Sequence, residues 1–421
     1  MQKVLIISYF YPPCNFVGAE RTNYWGKYLH KYDLYPIIVT RNWNKNQITV
    51  TEKVKKNNFK HIVGKGHEVF YLPYKLNLRD VLTKYKFLIL VQKTLTFLEL
   101  ILSNFLIKTL PFSNFYFFAK KLLEKQKDIK IVIISGSPFQ AFFIGYKLKK
   151  KFDHLKIIYD YRDEWTTRST SKPKNIFEKI VFKLNQHSEI RWNSNTEFFL
   201  TVSQSWKKSI SNHVEKNGFV IKNGHTFTKI YEKKNLSKNY FSIIYTGTLY
   251  PYQRIETFIS SVINIKKNNY YNIKVYFIGT NIIKKEEQRL RNLTKGFEST
   301  FILIDRIEKK ELLSFLENAD LALLTEYENL NGCLPVKIFE YYYYKIPMLL
   351  CPTDNNEMHS FILKTKSGYI ANDEINCEKI ILDCLNGKTI DFENKDYKKY
   401  FKLFSREYQT KILANILKEK I

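Results

Sequence analysis

The sequence predicts two consecutive parallel α/β domains, each a doubly wound sheet covered by helices on both faces. Three observations carry this. The 421 residues are too many for one hydrophobic core and comfortable for two. Short apolar runs alternate with longer helical patterns from end to end, as strands buried on both faces require. The runs also fall into two series, and between them a strand-like stretch ends in the turn dipeptide Asn223-Gly224.

The first series of predicted strands covers residues 4–8, 36–40, 69–72, 131–134, 157–159 and 198–202; the second covers 242–245, 274–278, 300–304, 321–324 and 347–351. No short-period repeat is present, which argues against a solenoid. The boundaries place one domain over 1–222, a second over 223–395 and a closing helix over 396–421. The apolar run at 4–8 is too short for a signal peptide and reads as the first buried strand.

One stretch breaks the rhythm. Residues 76–130 are helical in pattern, aromatic and basic, with 11 basic against 4 acidic residues over 75–130. Leu88, Val91, Leu95, Leu98, Leu102 and Phe105 recur at steps of three and four, one face of a helix. Lys93, Glu99 and Asn104 interrupt the run, which argues against a spanning segment of about 20 apolar residues. Two readings remain: a helix pair packed on the first sheet, which the general behaviour of amphipathic stripes favours, and an in-plane contact with a membrane.

The 68 basic and 40 acidic residues give a net charge of +28. Nucleic acid, an anionic membrane surface and anionic small substrates are the candidate partners. Compositional drift toward Lys, Asn, Ile and Tyr accounts for part of the excess. The charge is spread rather than gathered into an arm, and no nucleic-acid motif appears, so a nucleic-acid-binding protein is the rival reading and not the preferred one. Five cysteines without a CxxC pair argue against a disulfide framework or a zinc site and fit a reducing cytoplasm.

Four loops hold the residues that carry chemistry. The first, Tyr9 to Arg21, follows a strand and opens a helix, placing backbone N–H groups toward an anion; Gly18 allows close approach and Arg21 adds charge. It contains no GxGxxG. The second, Asp160-Tyr161-Arg162-Asp163-Glu164-Trp165, gathers charge past the end of a strand. Asp160 and Asp163 are placed to orient or deprotonate an acceptor hydroxyl and Arg162 to pair an anion; an internal Arg–Asp salt bridge is the equally weighted alternative. The third, Gly247-Thr248-Leu249 through Arg254, repeats the strand–loop–helix logic, and a guanidinium offers a diphosphate bidentate contacts. In the fourth, Pro335 suits the first turn of a helix, and Lys337 and Glu340 share a face three residues apart. The carboxylate there can accept two ribose hydroxyls while Lys337 meets phosphate; a surface ion pair is the plainer alternative.

In order along the chain, VLIISYFYPP…GAER, DYRDEW, TVSQSW followed by KNGH, YTGTLYPYQR, LPVKIFEYYYYKIPMLLC and FSREYQTKILANIL resemble the retaining family 4 type of GT-B glycosyltransferases. The resemblance covers nearly the whole chain. It implies two Rossmann-like domains facing each other across a cleft, with the last helix returning to the first domain. It implies transfer of a sugar from a nucleotide-sugar donor, UDP being the commonest nucleotide, to a saccharide or lipid-linked acceptor in cell-surface polysaccharide or glycan synthesis. The enzyme would be cytoplasmic, peripheral on the inner face of the plasma membrane, and free of cofactor.

Matched residue by residue, Glu340 is the second glutamate of the family's pair, which holds the ribose, Arg254 a basic residue gripping the diphosphate, and Gly18 the glycine of the loop over the phosphates. Three positions depart from the pattern. Gly332 stands where the first glutamate belongs, Thr248 where a basic residue follows Gly247, and Ser135-Gly136-Ser137-Pro138 where a histidine is often found. Glu328 is the nearby acid placed to take over part of the first glutamate's work. In such retaining enzymes the leaving diphosphate is thought to take the acceptor's proton, so the protein supplies orientation and positive charge. No Asp-x-Asp pair occurs, so no metal is expected. A non-catalytic, membrane-associated relative of the same fold and a sugar-phosphate epimerase are the other readings, because function lives in the site.

Overall fold

Val4-Leu5-Ile6-Ile7 has no polar position, so as a strand it must be covered on both faces. In the computed structural model all four are fully buried in β1 (Gln2–Ser8). The structure describes residues 1–14, 16–44, 58–74, 78–82, 85–169, 173–227, 229, 231, 238–268, 271–392 and 395–421. Asn15 of the first loop and residues 76, 77, 83 and 84 of the basic segment lie outside these. The chain forms two units, Met1–Lys222 with Arg406–Ile421, and Asn223–Ser405.

Unit one continues from β1 through α1 (Gly18–Tyr28), β2 (Leu34–Arg41), β3 (Lys60–Gly64), β4 (His67–Leu72), α2 (Leu78–Leu82), α3 (Ile89–Leu102) and α4 (Ser113–Lys125). It follows with β5 (Ile131–Ser135), α5 (Phe142–Lys151), β6 (Lys156–Tyr161), α6 (Ile176–Asn193), β7 (Phe198–Thr201), α7 (Gln204–Val214) and β8 (Gly218–Val220). The strands lie in the order β3-β4-β2-β1-β5-β6-β7-β8. All neighbours are parallel except β3, which runs antiparallel to β4. Registers Ser8↔Ser135 and Ser135↔Asp160 bring three polar residues into one row at the strand ends.

Unit two comprises β9 (Phe241–Thr246), α8 (Glu256–Asn268), β10 (Ile273–Ile278), α9 (Lys284–Leu293), β11 (Phe301–Ile304), α10 (Lys309–Glu317) and β12 (Leu321–Leu324). It ends with α11 (Lys337–Tyr343), β13 (Met348–Leu350), α12 (Glu357–Thr365), β14 (Gly368–Ile370), α13 (Glu374–Leu385) and α14 (Lys395–Leu403). Its six parallel strands lie in the order β11-β10-β9-β12-β13-β14. Two apolar layers cover the sheet, one built on Phe258, Val262 and Ile381, the other on Ile338, Phe339 and Tyr342.

Two expectations change. The closing helix over 396–421 is two helices in different units. Tyr397, Tyr400 and Phe404, spaced for one helical face, are buried in the core of unit two, whereas α15 (Arg406–Lys420) belongs to unit one. There Leu413, Ala414 and Leu417 join Trp25 and Leu29 in the core, and Arg406 pairs with Glu20 at 2.8 Å.

The second change concerns α3. Its apolar stripe is not packed away: no residue of α3 is buried, and Val91, Leu98, Leu102 and Phe105 are exposed. The helix lies against α6 rather than on the sheet. Among the described residues no helix is long and apolar enough to cross a membrane.

Candidate active site

Open α/β sheets bind ligands where the strand order reverses, outside the carboxyl ends of the strands. In unit one that point lies between β1 and β5, and in unit two between β9 and β12. Each unit therefore offers a pair of loops that the sheet itself positions.

In unit one the loop after β1 leads into α1, and Arg21 projects from its second turn. The expected phosphate partner is not what Arg21 meets. It is buried and bonded to Asp160, with Nη2 2.9 Å from Oδ1 and Nε 3.0 Å from the same atom. Its Nη1 donates to the Ile221 carbonyl at 2.5 Å. Asp160 is fully buried and also accepts from Ser135 Oγ at 3.0 Å. Neither side chain is available to a ligand, which corrects the expected roles of both. They tie α1 to β5, β6 and the segment after β8. The internal salt bridge is therefore real, but its cation is Arg21.

Arg162 stacks 5.5 Å over Phe10 and donates to the Gly136 and Ser137 carbonyls at 2.9 and 3.0 Å. A Cβ at Gly18 would lie 1.9 Å from Arg162 Nη1. The absent side chain at Gly18 thus makes room for this guanidinium. Two residues past β6, Asp163 is exposed, the one member of the expected catalytic set with an open carboxylate.

A buried cluster beneath this loop has no signal in the sequence. Glu189 of α6 is fully buried and accepts from Thr166 N at 3.2 Å and Thr166 Oγ1 at 2.5 Å. His213 of α7 approaches the same hydroxyl at 3.0 Å. Burial pushes the Glu189 carboxyl from its ordinary 4.5 up to about 7. The cluster anchors the loop that carries Asp163. A lone Glu in an amphipathic helix reads as solvent-facing, so only the packing reveals it.

In unit two, Gly247 ends β9 with φ +95° and open space where a Cβ would stand. Thr248 is half-buried, and its carbonyl accepts from Tyr245 OH at 3.1 Å. Arg254 is exposed and reaches across to the loop after β12, with Nη2 2.8 Å from Glu328 Oε1 and Nε 3.5 Å from Glu326 Oε1. The two loops at the reversal point are joined by Arg254 and Glu328, both expected site residues, and by Glu326, which the sequence did not single out.

Pro335 stands just ahead of α11, where Ile338 N donates to its carbonyl at 3.2 Å. Lys337 turns to the end of β9: its Nζ donates to the Thr246 carbonyl at 3.1 Å and lies 3.5 Å over the Tyr245 ring. One turn later Tyr341 OH accepts from Thr246 N at 3.0 Å. Burial lowers the Lys337 ammonium to about 7. It is therefore not a permanent charge at neutral pH. Glu340, between these two anchors, is half-buried.

Gly332 has φ +80°, a backbone region that L side chains rarely adopt. A glutamate there would be strained, so the departure from the family pattern follows from the path of the loop. Among the described residues no group of three His, Cys, Asp or Glu side chains is placed to hold a metal ion.

Solved structures align along the whole chain. Sucrose-phosphate synthase from Thermosynechococcus elongatus matches with TM-score 0.69 and 13% identity, covering 100% of this chain and 99% of its own. A glycosyltransferase from Rickettsia africae gives 0.57 and 13%, with 100% and 99% covered. The Anabaena protein HepE in complex with UDP and glucose gives 0.60 and 11%, with 99% and 100% covered. At these identities the likeness is one of fold. No curated protein sequence is similar to the chain. Residues 226–383, nearly all of unit two, match the family described as Glycosyl transferases group 1. The chain thus has the two-domain GT-B fold and a glycosyltransferase group 1 domain in its second half.

Proposed function

We propose that the chain is a retaining, metal-independent glycosyltransferase that takes a hexose from a nucleotide-sugar donor, UDP-linked by preference. The acceptor is a saccharide or lipid-linked saccharide in cell-surface polysaccharide or glycan synthesis. The enzyme works in the cytoplasm, on the inner face of the plasma membrane. What supports the reading above all is the end of β9: Gly247, Arg254 and Lys337 gather there, with Glu340 on the adjoining helix, inside the segment that matches the group 1 domain.

In this reading the backbone at Gly247 approaches the donor diphosphate, where φ +95° and the missing Cβ leave room. Arg254, presented by Glu326 and Glu328, exchanges a carboxylate for phosphate oxygens. Lys337 takes up a proton as the anion arrives and neutralises the leaving group. Glu340 accepts the two ribose hydroxyls. Asp163 orients the acceptor hydroxyl, on a loop braced by Arg162, the Arg21–Asp160 pair and Glu189.

Glu340 decides the donor half. Hydrogen bonds to a charged partner are worth ~1.5–3 kcal/mol net. Glu340→Ala is therefore expected to weaken UDP-glucose binding roughly ten- to a hundred-fold in calorimetric titration without a change in melting temperature. Unchanged affinity would move the ribose site elsewhere.

A further inference from the structure

Between α3 and α6, unit one holds a cavity of about 920 Å³. Its wall is mainly hydrocarbon, from Phe97, Leu98, Leu100, Phe177, Val181 and Phe182. At one place the helices touch through Phe97 and Phe177, ring centroids 5.3 Å apart. Toward the end of α3, Arg191 Nη2 donates to the Asn104 carbonyl at 2.7 Å. These contacts join the two elements at separate points.

Apolar residues belong in a core, yet none of these six is buried and two are exposed. Phe177 is 61% exposed and Leu98 45%. Exposed apolar patches of this extent mark binding surfaces, and about 920 Å³ is at the upper end for a small-ligand site. Threonine and asparagine side chains, Lys93 and Glu178 border it, but the accessible wall is mainly hydrocarbon and favours a hydrocarbon ligand. A flat bilayer would cover the outward side chains but leave the cavity unfilled, whereas a single flexible chain fills it.

The cavity is also continuous with the proposed acceptor loop. Trp165 and Thr166 form part of its wall. Asp163 is two residues before Trp165, so their Cα atoms are at most about 7.6 Å apart. Lys93, exposed on the same wall, offers a cation to an anionic head group.

We propose that the groove between α3 and α6 seats the hydrocarbon chain of a lipid-linked acceptor, a phosphate ester of a long hydrocarbon chain in chemical class, and delivers the saccharide it carries to Asp163. This rests on the glycosyltransferase reading for the fate of the saccharide; the chain-binding site stands on the groove alone.

Radiolabelled farnesyl phosphate, below its micelle concentration, tests it by equilibrium binding to the full-length protein. One saturable site is expected. Thr96→Trp, which fills the cavity, and Leu98→Asp, which charges its wall, are each expected to weaken binding at least about ten-fold. UDP-glucose binding, measured in parallel, is expected to be unchanged in both. Leu98 is exposed, so that variant decides if Thr96→Trp fails to fold. Absence of saturable binding, or equal affinity in Leu98→Asp and wild type, overturns the proposal. So does an effect of Leu98→Asp confined to flotation with phosphatidylglycerol vesicles or to self-association, which would make the groove a bilayer or protein contact. If farnesyl phosphate binds as expected while wild type fails to bind any UDP-sugar, the donor reading falls and the chain-binding groove remains.

Discussion

Asp160 separates a structural role from a catalytic one most cleanly. Its carboxylate is fully buried and meets Arg21, itself buried, through two contacts to Oδ1 at 2.9 and 3.0 Å. Asp160→Asn keeps the shape but leaves the Arg21 guanidinium inside the protein without a counter-charge. Removing one partner of a buried pair costs about 3–5 kcal/mol. For a unit of about 240 residues, each kcal/mol lowers the melting temperature by roughly 2–4 °C. A fall of about 6–20 °C is therefore expected in a thermal melt. Arg21→Met with Asp160→Leu removes both charges, and the double variant is expected to recover most of the loss. UDP-glucose binding should survive in every variant folded at the assay temperature. A melt of Asp160→Asn within a degree or two of wild type, with transfer abolished, would refute the structural role, because Asp160 would then touch the acceptor.

Two further expectations come from buried groups with displaced ionisation. Lys337 is held near 7 by burial, so above that pH it is neutral before the donor arrives, and an anion must bring a proton with it. UDP-glucose affinity is expected to be flat below about pH 6 and to fall by up to about ten-fold per pH unit above 7; a pH-independent dissociation constant in titrations from pH 6 to 9 refutes this. Glu189 is raised from 4.5 to about 7, so between those values the folded state holds a proton that the unfolded state has released, and stability falls as pH rises. The span corresponds to about 3 kcal/mol at most. Glu189→Gln is expected to remove that decline in urea unfolding between pH 4.5 and 7.5, and parallel curves for the two proteins would count against it.

The sheets were legible because central parallel strands are continuous apolar runs. Edge strands lack that signature: β3 is Lys-His-Ile-Val-Gly, exposed along nearly its whole length, and beyond its backbone ladder with β4 it adds only exposed contacts such as His61 on Phe70 and Glu68. The breakdown of the stripe on α3 has the same origin. Periodicity locates the apolar face of a helix but not what covers it, and here the face borders an open groove.

The site loops were legible as loops, since they follow strands that the apolar runs locate, but the partners within them were not. Arg21 and Asp160 are 139 residues apart in the chain. They meet only because β1, β5 and β6 align Ser8, Ser135 and Asp160 in one row. Gly18 sharpens the point. A glycine where a strand turns into a helix signals that something must approach the backbone closely, and a phosphate is the natural inference. In the folded chain the approaching group is Arg162, 1.9 Å from where a Cβ would stand. Ligand and side chain impose the same requirement, a missing Cβ, so composition alone does not separate them. At Gly247 no protein atom lies within 4 Å of that position. The two glycines look alike in the sequence, yet at Gly18 a side chain takes the space and at Gly247 it stays open, which is why the proposed donor site is placed on the loop after β9.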